Sequence, residues 1–340
     1  MNRVGAQVVV AGAGVTGLSV ALALAKAGAR VTVCDPAPLG DNASGVAAGM
    51  LAPAFEAALD PADAGHFALL RHARDLWPAL AADTGVHIDR SGARAQGEAG
   101  WLADVAAALA GVGAEHTASE AGVFSPEDWR LDPAQALCAL RQACLADGVV
   151  FRAEAVAAFS GGEARLRGRE RLAADHLVLA TGAALGLAAE QDGLIPIKGH
   201  VLRYPMRNPM GPMVRGPGVY LCPSGQTLVV GATMEAGRRD VAVDPASVEA
   251  LRAAGATLLP LLARAQATAQ AGVRAATPDG LPLVGPSSTP GVILAVGLRR
   301  NGWLLAPLVA RMVAAYATGV DPGPWASAFE PGRFNNNSEG

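Results

Sequence analysis

Residues 7–11 (QVVVA) form a continuous β-branched run, the pattern of a strand buried on both faces of a parallel sheet. Leu18, Ala21, Leu22 and Ala25 then recur at helical spacing up to Gly28, a natural stop, and residues 30–35 (RVTVCD) return to a strand pattern. The order predicts a βαβ unit at the start of the chain. Helical periodicity recurs over residues 70–82, 101–109, 245–265 and 304–318, and residues 149–151, 177–180, 196–204 and 219–231 read as strands. Pro307 falls near the first turn of the last helix and Gly319 just past its end, where each is tolerated best. Residues 211–218, with two Pro and three Gly, read as a loop, and residues 334–340 (FNNNSEG) as a disordered polar tail. The fold class expected is α/β.

Between the first strand and its helix, Gly12, Ala13, Gly14, Val15, Thr16 and Gly17 fit GxGxxG. Gly12 permits a tight turn, Gly14 lets the backbone approach a pyrophosphate, and Gly17 lets the helix pack closely on the strand. The helix N-terminus beyond them offers unpaired N–H groups and a partial positive charge. Asp35 follows eighteen residues after Gly17, at the end of the second strand. A carboxylate there can accept from an adenosine ribose, at about the ~20-residue offset this unit uses. Together these features predict dinucleotide binding without separating NAD from FAD.

Composition narrows the partners. Hydrophobic residues make up 51% of the 340 and charged residues 17%, far from the profile of a disordered chain. Lys plus Arg number 27 against 30 for Asp plus Glu, so no global basic field exists to hold a nucleic acid, and aromatics at 4% supply few stacking platforms. Cys34, Cys138, Cys144 and Cys222 form no CxxC pair. No metal centre is expected, and the thiols suit a reducing cytoplasmic location. The uncharged stretch over residues 4–25 is long enough to span a bilayer, but the glycines interrupting it argue for a strand and helix instead.

The segment after the second strand, residues 41–53 (DNASGVAAGMLAP) with Glu56 just beyond, resembles the D-amino-acid oxidase superfamily, and its GMLAP most resembles the glycine oxidases of thiamine biosynthesis. Residues 175–182 (DHLVLATG), 220–235 (YLCPSGQTLVVGATME), 272–285 (GVRAATPDGLPLVG) and 297–307 (GLRRNGWLLAP) agree with the same family in order. The resemblance spans residues 7 to about 318. It implies a Rossmann-like FAD-binding domain built from residues 1–80, 140–190 and 275–330. An interleaved mixed β-sheet substrate domain would take residues 80–140 and 190–275.

It also implies non-covalent FAD and a set of contacts. Beyond the glycine loop these would be Ser44, Ala48, Gly49, Met50, the backbone of Val156 at the adenine, and Ala180, Thr181 and Gly182. Arg300, Asn301, Gly302, Trp303 and Leu304 would complete the set, where a helix start could stabilise negative charge on a reduced flavin. Arg274 is implied as the clamp on a substrate carboxylate, which suits guanidinium geometry, with Tyr220 and Arg300 as further polar contacts. The implied reaction is oxidation of glycine or another small amino acid or amine by hydride transfer to flavin N5. The imine would hydrolyse to a keto acid and ammonia or feed thiazole synthesis, and oxygen would reoxidise the flavin to give hydrogen peroxide.

His200 reads as a polar supporting residue. Leu298 and Arg299 stand where family members often carry an aromatic or His, and Ser224 where they carry Arg, which leaves the substrate open. An amino-acid dehydrogenase with a non-oxygen acceptor and a tRNA-modifying oxidoreductase are the alternatives. A homo-oligomer is compatible with the sequence.

Overall fold

The computed structural model describes residues 5–61, 63, 65–207 and 209–337, the last three by backbone only. The first strand, Gln7–Ala11, lies inside a six-stranded sheet. Arg30–Cys34 flanks it on one side and His176–Leu179 on the other, both parallel, with Val10 beside Val33 and Val178. Val150–Arg152 and Val292–Val296 extend the parallel array, and Leu283–Pro286 closes one edge antiparallel. Both faces are covered, which is why the first strand reads as an unbroken apolar run. Val8 and Val10 enter the main core with Leu18, Leu22, Leu304 and Val309, whereas Val9 and Ala11 join Leu177, Leu294 and Val156 on the opposite face. The helices Val15–Lys26 and Gly302–Thr318 pack on each other over the first face. The small sheet of Val156–Ser160, Glu163–Leu166 and Arg171–Ala173 covers the second.

A nine-stranded mixed sheet forms the second layer. Its long strand Ile195–Pro205 pairs antiparallel with Thr268–Ala276, setting Ile197 opposite Arg274 and Gly199 opposite Gly272. Val219–Ser224 and Thr227–Gly231 divide the strand region read over 219–231 into a hairpin, with Tyr220 opposite Gly231. The α/β class therefore holds, with a parallel nucleotide-type sheet and a mixed sheet in one chain.

Four expectations need correction. The helix read over residues 70–82 is two, Phe67–Asp75 and Trp77–Thr84, because Pro78 near the start of the second lacks the N–H that would continue the first. Pro260 likewise ends Pro245–Leu258 and leaves only a 3-10 turn over Pro260–Ala263. Residues 211–218 contain a strand, Met213–Gly216, paired with Val219–Ser224 and with Ala93–Ala95. Tertiary pairing there overrides the local Gly and Pro signal. The tail continues as a 3-10 turn over Pro331–Asn337, anchored by Arg333, which donates to both Asp279 oxygens at 2.8 and 2.9 Å; residues 338–340 lie outside the described residues. Among the described residues no helix is long and apolar enough to cross a membrane.

Candidate active site

The glycine loop has the crowding that its sequence implies. Gly12 has φ +110°, and a Cβ there would stand 2.3 Å from the Ala180 carbonyl oxygen. A Cβ on Gly17 would stand 1.9 Å from the Gly12 carbonyl oxygen, so helix and turn meet backbone to backbone. Gly14 caps the helix Val15–Lys26 without any side-chain cap of its own, and the Ser44 hydroxyl accepts from Val15 N at 3.1 Å. Asp35 accepts from Ala13 N at 2.7 Å and from Ala37 N at 2.8 Å, which fixes its carboxylate beside the loop.

These groups border a groove of about 1000 Å³. Gly12, Gly14, Val15, Thr16, Asp35 and Ser44 form one side. Ala180, Thr181, Gly182 and Gly302 form part of the rest. A second cavity of about 260 Å³ opens beside it, lined by Ala48, Gly49, Met50, Tyr220, Arg300, Asn301 and Trp303. Arg274 lines both spaces. Three of the expected residues line neither. Gly17 is spent on packing against Gly12, Leu304 is buried in the main core, and Val156 is buried in the second core beside the small sheet.

Glycines make room for the polar groups of the smaller cavity. A Cβ on Gly199 would meet the Arg274 guanidinium at 2.2 Å, and one on Gly231 would meet the Tyr220 hydroxyl at 2.2 Å. Burial pushes the Tyr220 hydroxyl up to about 12 against the pull of Arg274, so it stays a donor at neutral pH. Among the described residues the hydrogen bonds of Arg274 are long, to the Thr233 carbonyl at 3.4 Å and Met234 Sδ at 3.5 Å. Among the described residues no carboxylate pairs with it. His200 supports this segment: its Nε2 accepts from Asp244 N at 3.1 Å, which leaves Nδ1 to donate toward Thr233 Oγ1 and Glu235. Cys34, Cys144 and Cys222 are buried, and burial raises their thiols to about 11, 12 and 11, away from nucleophilic use.

A charge cluster that sequence reasoning missed stands on the cavity wall. Glu56 Oε1 accepts from Arg215 at 2.9 Å, and its other oxygen pairs with Arg300. Asp60 Oδ2 takes Arg300 at 2.7 Å and Arg299 at 2.6 Å, and Asp63 accepts from Asn301 Nδ2 at 3.1 Å. Burial alone would raise the Glu56 carboxyl, but Arg300 and Arg215 outweigh it and hold it below its ordinary range. Burial, reinforced by Glu56, pushes Asp63 up to about 6. The three acids bring oxygens within 4.8 Å of one another, and the arginines supply the balancing charge. The four-residue spacing of Glu56 and Asp60 at the end of Pro53–Leu59 was the available signal for that pair, whereas Asp63 lies beyond the helix and is brought beside them by the fold.

Asp128 holds the start of that helix by accepting from Ala54 N at 2.8 Å and Phe55 N at 3.2 Å. Burial pushes its carboxyl up to about 7, so the folded state binds this proton more tightly than the unfolded chain does. The stability it contributes is complete below about pH 4 and is lost as pH rises to about 7. The melting temperature of Asp128→Asn relative to the parent should therefore climb between those limits and level off above them. A difference that stays flat across that range would show that the helix amides and Arg215 keep the carboxylate ionised throughout.

A glycine cradle at a helix N-terminus that opens into a small arginine-bearing cavity is the arrangement of a dinucleotide-dependent oxidoreductase. Residues 7–316 match the family described as DAO, FAD dependent oxidoreductase. The chain belongs to this family, and it is an FAD-dependent enzyme. It is 30% identical to the glycine oxidase of Pseudomonas aeruginosa across 95% of this chain and 98% of that protein. The crystal structure of glycine oxidase from Geobacillus kaustophilus superposes with a TM-score of 0.83 at 27% identity, covering 96% of this chain and 98% of that one. The chain is also 31% identical, across 98% of its length, to the tRNA 5-methylaminomethyl-2-thiouridine biosynthesis bifunctional protein MnmC of Maricaulis maris, of which it covers 56%.

The residues present fit FAD. The groove has the volume for an extended dinucleotide, glycines where a Cβ would collide, and a helix start with no side-chain cap of its own aimed into it.

Proposed function

We propose that this protein oxidises glycine or another small amine bearing a carboxylate, with oxygen as electron acceptor and imine, then keto acid, ammonia and hydrogen peroxide as products. On the GMLAP resemblance, the imine serves thiazole formation in thiamine synthesis. The observation that carries the reading is Arg274, a cavity-lining arginine without an acid partner among the described residues, at the seam between groove and cavity. Its fork suits a substrate carboxylate, and the Tyr220 hydroxyl can add a neutral donor. Met50, Leu59 and Val201 supply apolar wall around the remainder of a small substrate. FAD, when bound, would supply the two-electron oxidation chemistry. The protein's part is to bind and orient: Arg274 and Tyr220 fix one end of the substrate, so that the α-carbon is presented in one attitude.

Purified protein should carry a flavin whose visible absorption bleaches with glycine, sarcosine or D-alanine under anaerobic conditions. It should also consume oxygen and form peroxide with the same compound in air. Bleaching without oxygen uptake would assign a dehydrogenase. No bleaching with any of the three, together with tRNA binding at low salt, would favour the tRNA-modifying reading that the MnmC similarity supports.

A further inference from the structure

The smaller cavity is lined by three arginines, Arg215, Arg274 and Arg300, and a bare set of that kind would attract a dianion. The structure disarms two of them. Glu56, itself a cavity-lining residue, holds Arg215 through one carboxylate oxygen and Arg300 through the other. Both partners of the Glu56–Arg215 pair are buried, with side chains 6% and 5% exposed, so water screens the pair little. Asp60 takes the remaining end of Arg300 and, with Asp63 at 3.7 Å, faces Arg299 behind it, so three acids stand against Arg215, Arg299 and Arg300. Of the three cavity-lining arginines, Arg274 alone has no carboxylate partner among the described residues and presents its charge to a ligand.

Resting on the reading above, we propose that Glu56 is a specificity-determining residue that restricts the cavity to amines bearing one carboxylate. A second carboxylate on the substrate would meet only guanidinium groups already engaged by Glu56. To bind them it would have to displace a buried, doubly paired acid or lie against it, and both are unfavourable. Removing the Glu56 charge while keeping its shape converts the same wall into a second anion subsite built from Arg215 and Arg300.

The test uses the flavin-loaded enzyme and the change in flavin absorption on adding glycolate, with one carboxylate, or malonate, with two. The parent should bind glycolate at least about tenfold more tightly than malonate, and Glu56→Gln should shift the malonate-to-glycolate affinity ratio toward malonate by roughly tenfold or more. Glu56→Asp, which keeps the charge, should preserve the parent's order of preference. A merely structural role for Glu56 would weaken both ligands together and leave the ratio unmoved. Asp60→Asn frees one end of Arg300 and is measured in parallel. Should Glu56→Gln fail to retain flavin, a shift of this second variant toward malonate supports the proposal, and an unmoved ratio overturns it. A parent that binds malonate as well as glycolate also overturns it. If neither acid perturbs the parent's flavin, the carboxylate site itself is wrong and the proposal falls with it. Glycolate binding with an unmoved ratio in the variants rejects the role of Glu56 alone.

Discussion

Arg274→Ala is expected to yield protein with undiminished flavin content and a kcat/KM for carboxylated amines lower by roughly 10²-fold or more. A charge-assisted hydrogen-bonded pair is worth up to about 3 kcal/mol, and that energy corresponds to about two decades in rate. The fold should tolerate the change, because among the described residues the hydrogen bonds of Arg274 are long, 3.4 and 3.5 Å to the Thr233 carbonyl and Met234 Sδ. The loss should be smaller for amines without a carboxylate, which separates a clamp from a general defect. Arg274→Lys should recover part of the activity, since an ammonium keeps the charge and loses the two-pronged geometry. Equal kinetics for parent and Arg274→Ala would remove the central support for the proposed function.

Gly17→Ala should have the largest effect on the cofactor side. The added carbon would lie 1.9 Å from the Gly12 carbonyl oxygen and 2.9 Å from its carbon, and neither backbone atom can swing away as a side chain would. Gly12 is itself confined, at φ +110° with the Ala180 carbonyl across from it. The helix Val15–Lys26 must therefore shift away from the strand. The expected cost is about 3 kcal/mol or more, seen as a lowered melting temperature and as protein purified largely without flavin. Gly14→Ala is the contrasting case. Its nearest neighbour is the Ser44 hydroxyl at 3.1 Å, so stability should change little while flavin affinity falls through crowding at the pyrophosphate side. Equal melting temperatures for the two variants would show that the close approach at Gly17 is unimportant.

The nucleotide half was legible because its signals are local. Strand, glycines, helix, strand and acid all fall within residues 7–35, and the structure turns each into the geometry that its side chains favour. Arg274 and Tyr220 entered through resemblance, and the structure lines the same cavity with both. Arg300 was expected as a further polar contact, and the structure adds that its guanidinium is held by Glu56 and Asp60. The strand Met213–Gly216, which places Arg215 on the cavity wall, was hidden under Gly and Pro signals that belong to a loop in most settings.

By itself, then, the sequence determined the βαβ unit and its glycine cradle, since hydrophobic period and backbone permissiveness act between residues a few positions apart. Only the tertiary structure decided which charges are matched. Glu56 meets Arg215 across 159 positions and Asp60 meets Arg300 across 240, and no pattern along the chain encodes such distances. Whether a guanidinium is free to grip a substrate depends on which carboxylate the fold brings beside it, and that pairing exists only once the two sheets have closed around the cavity.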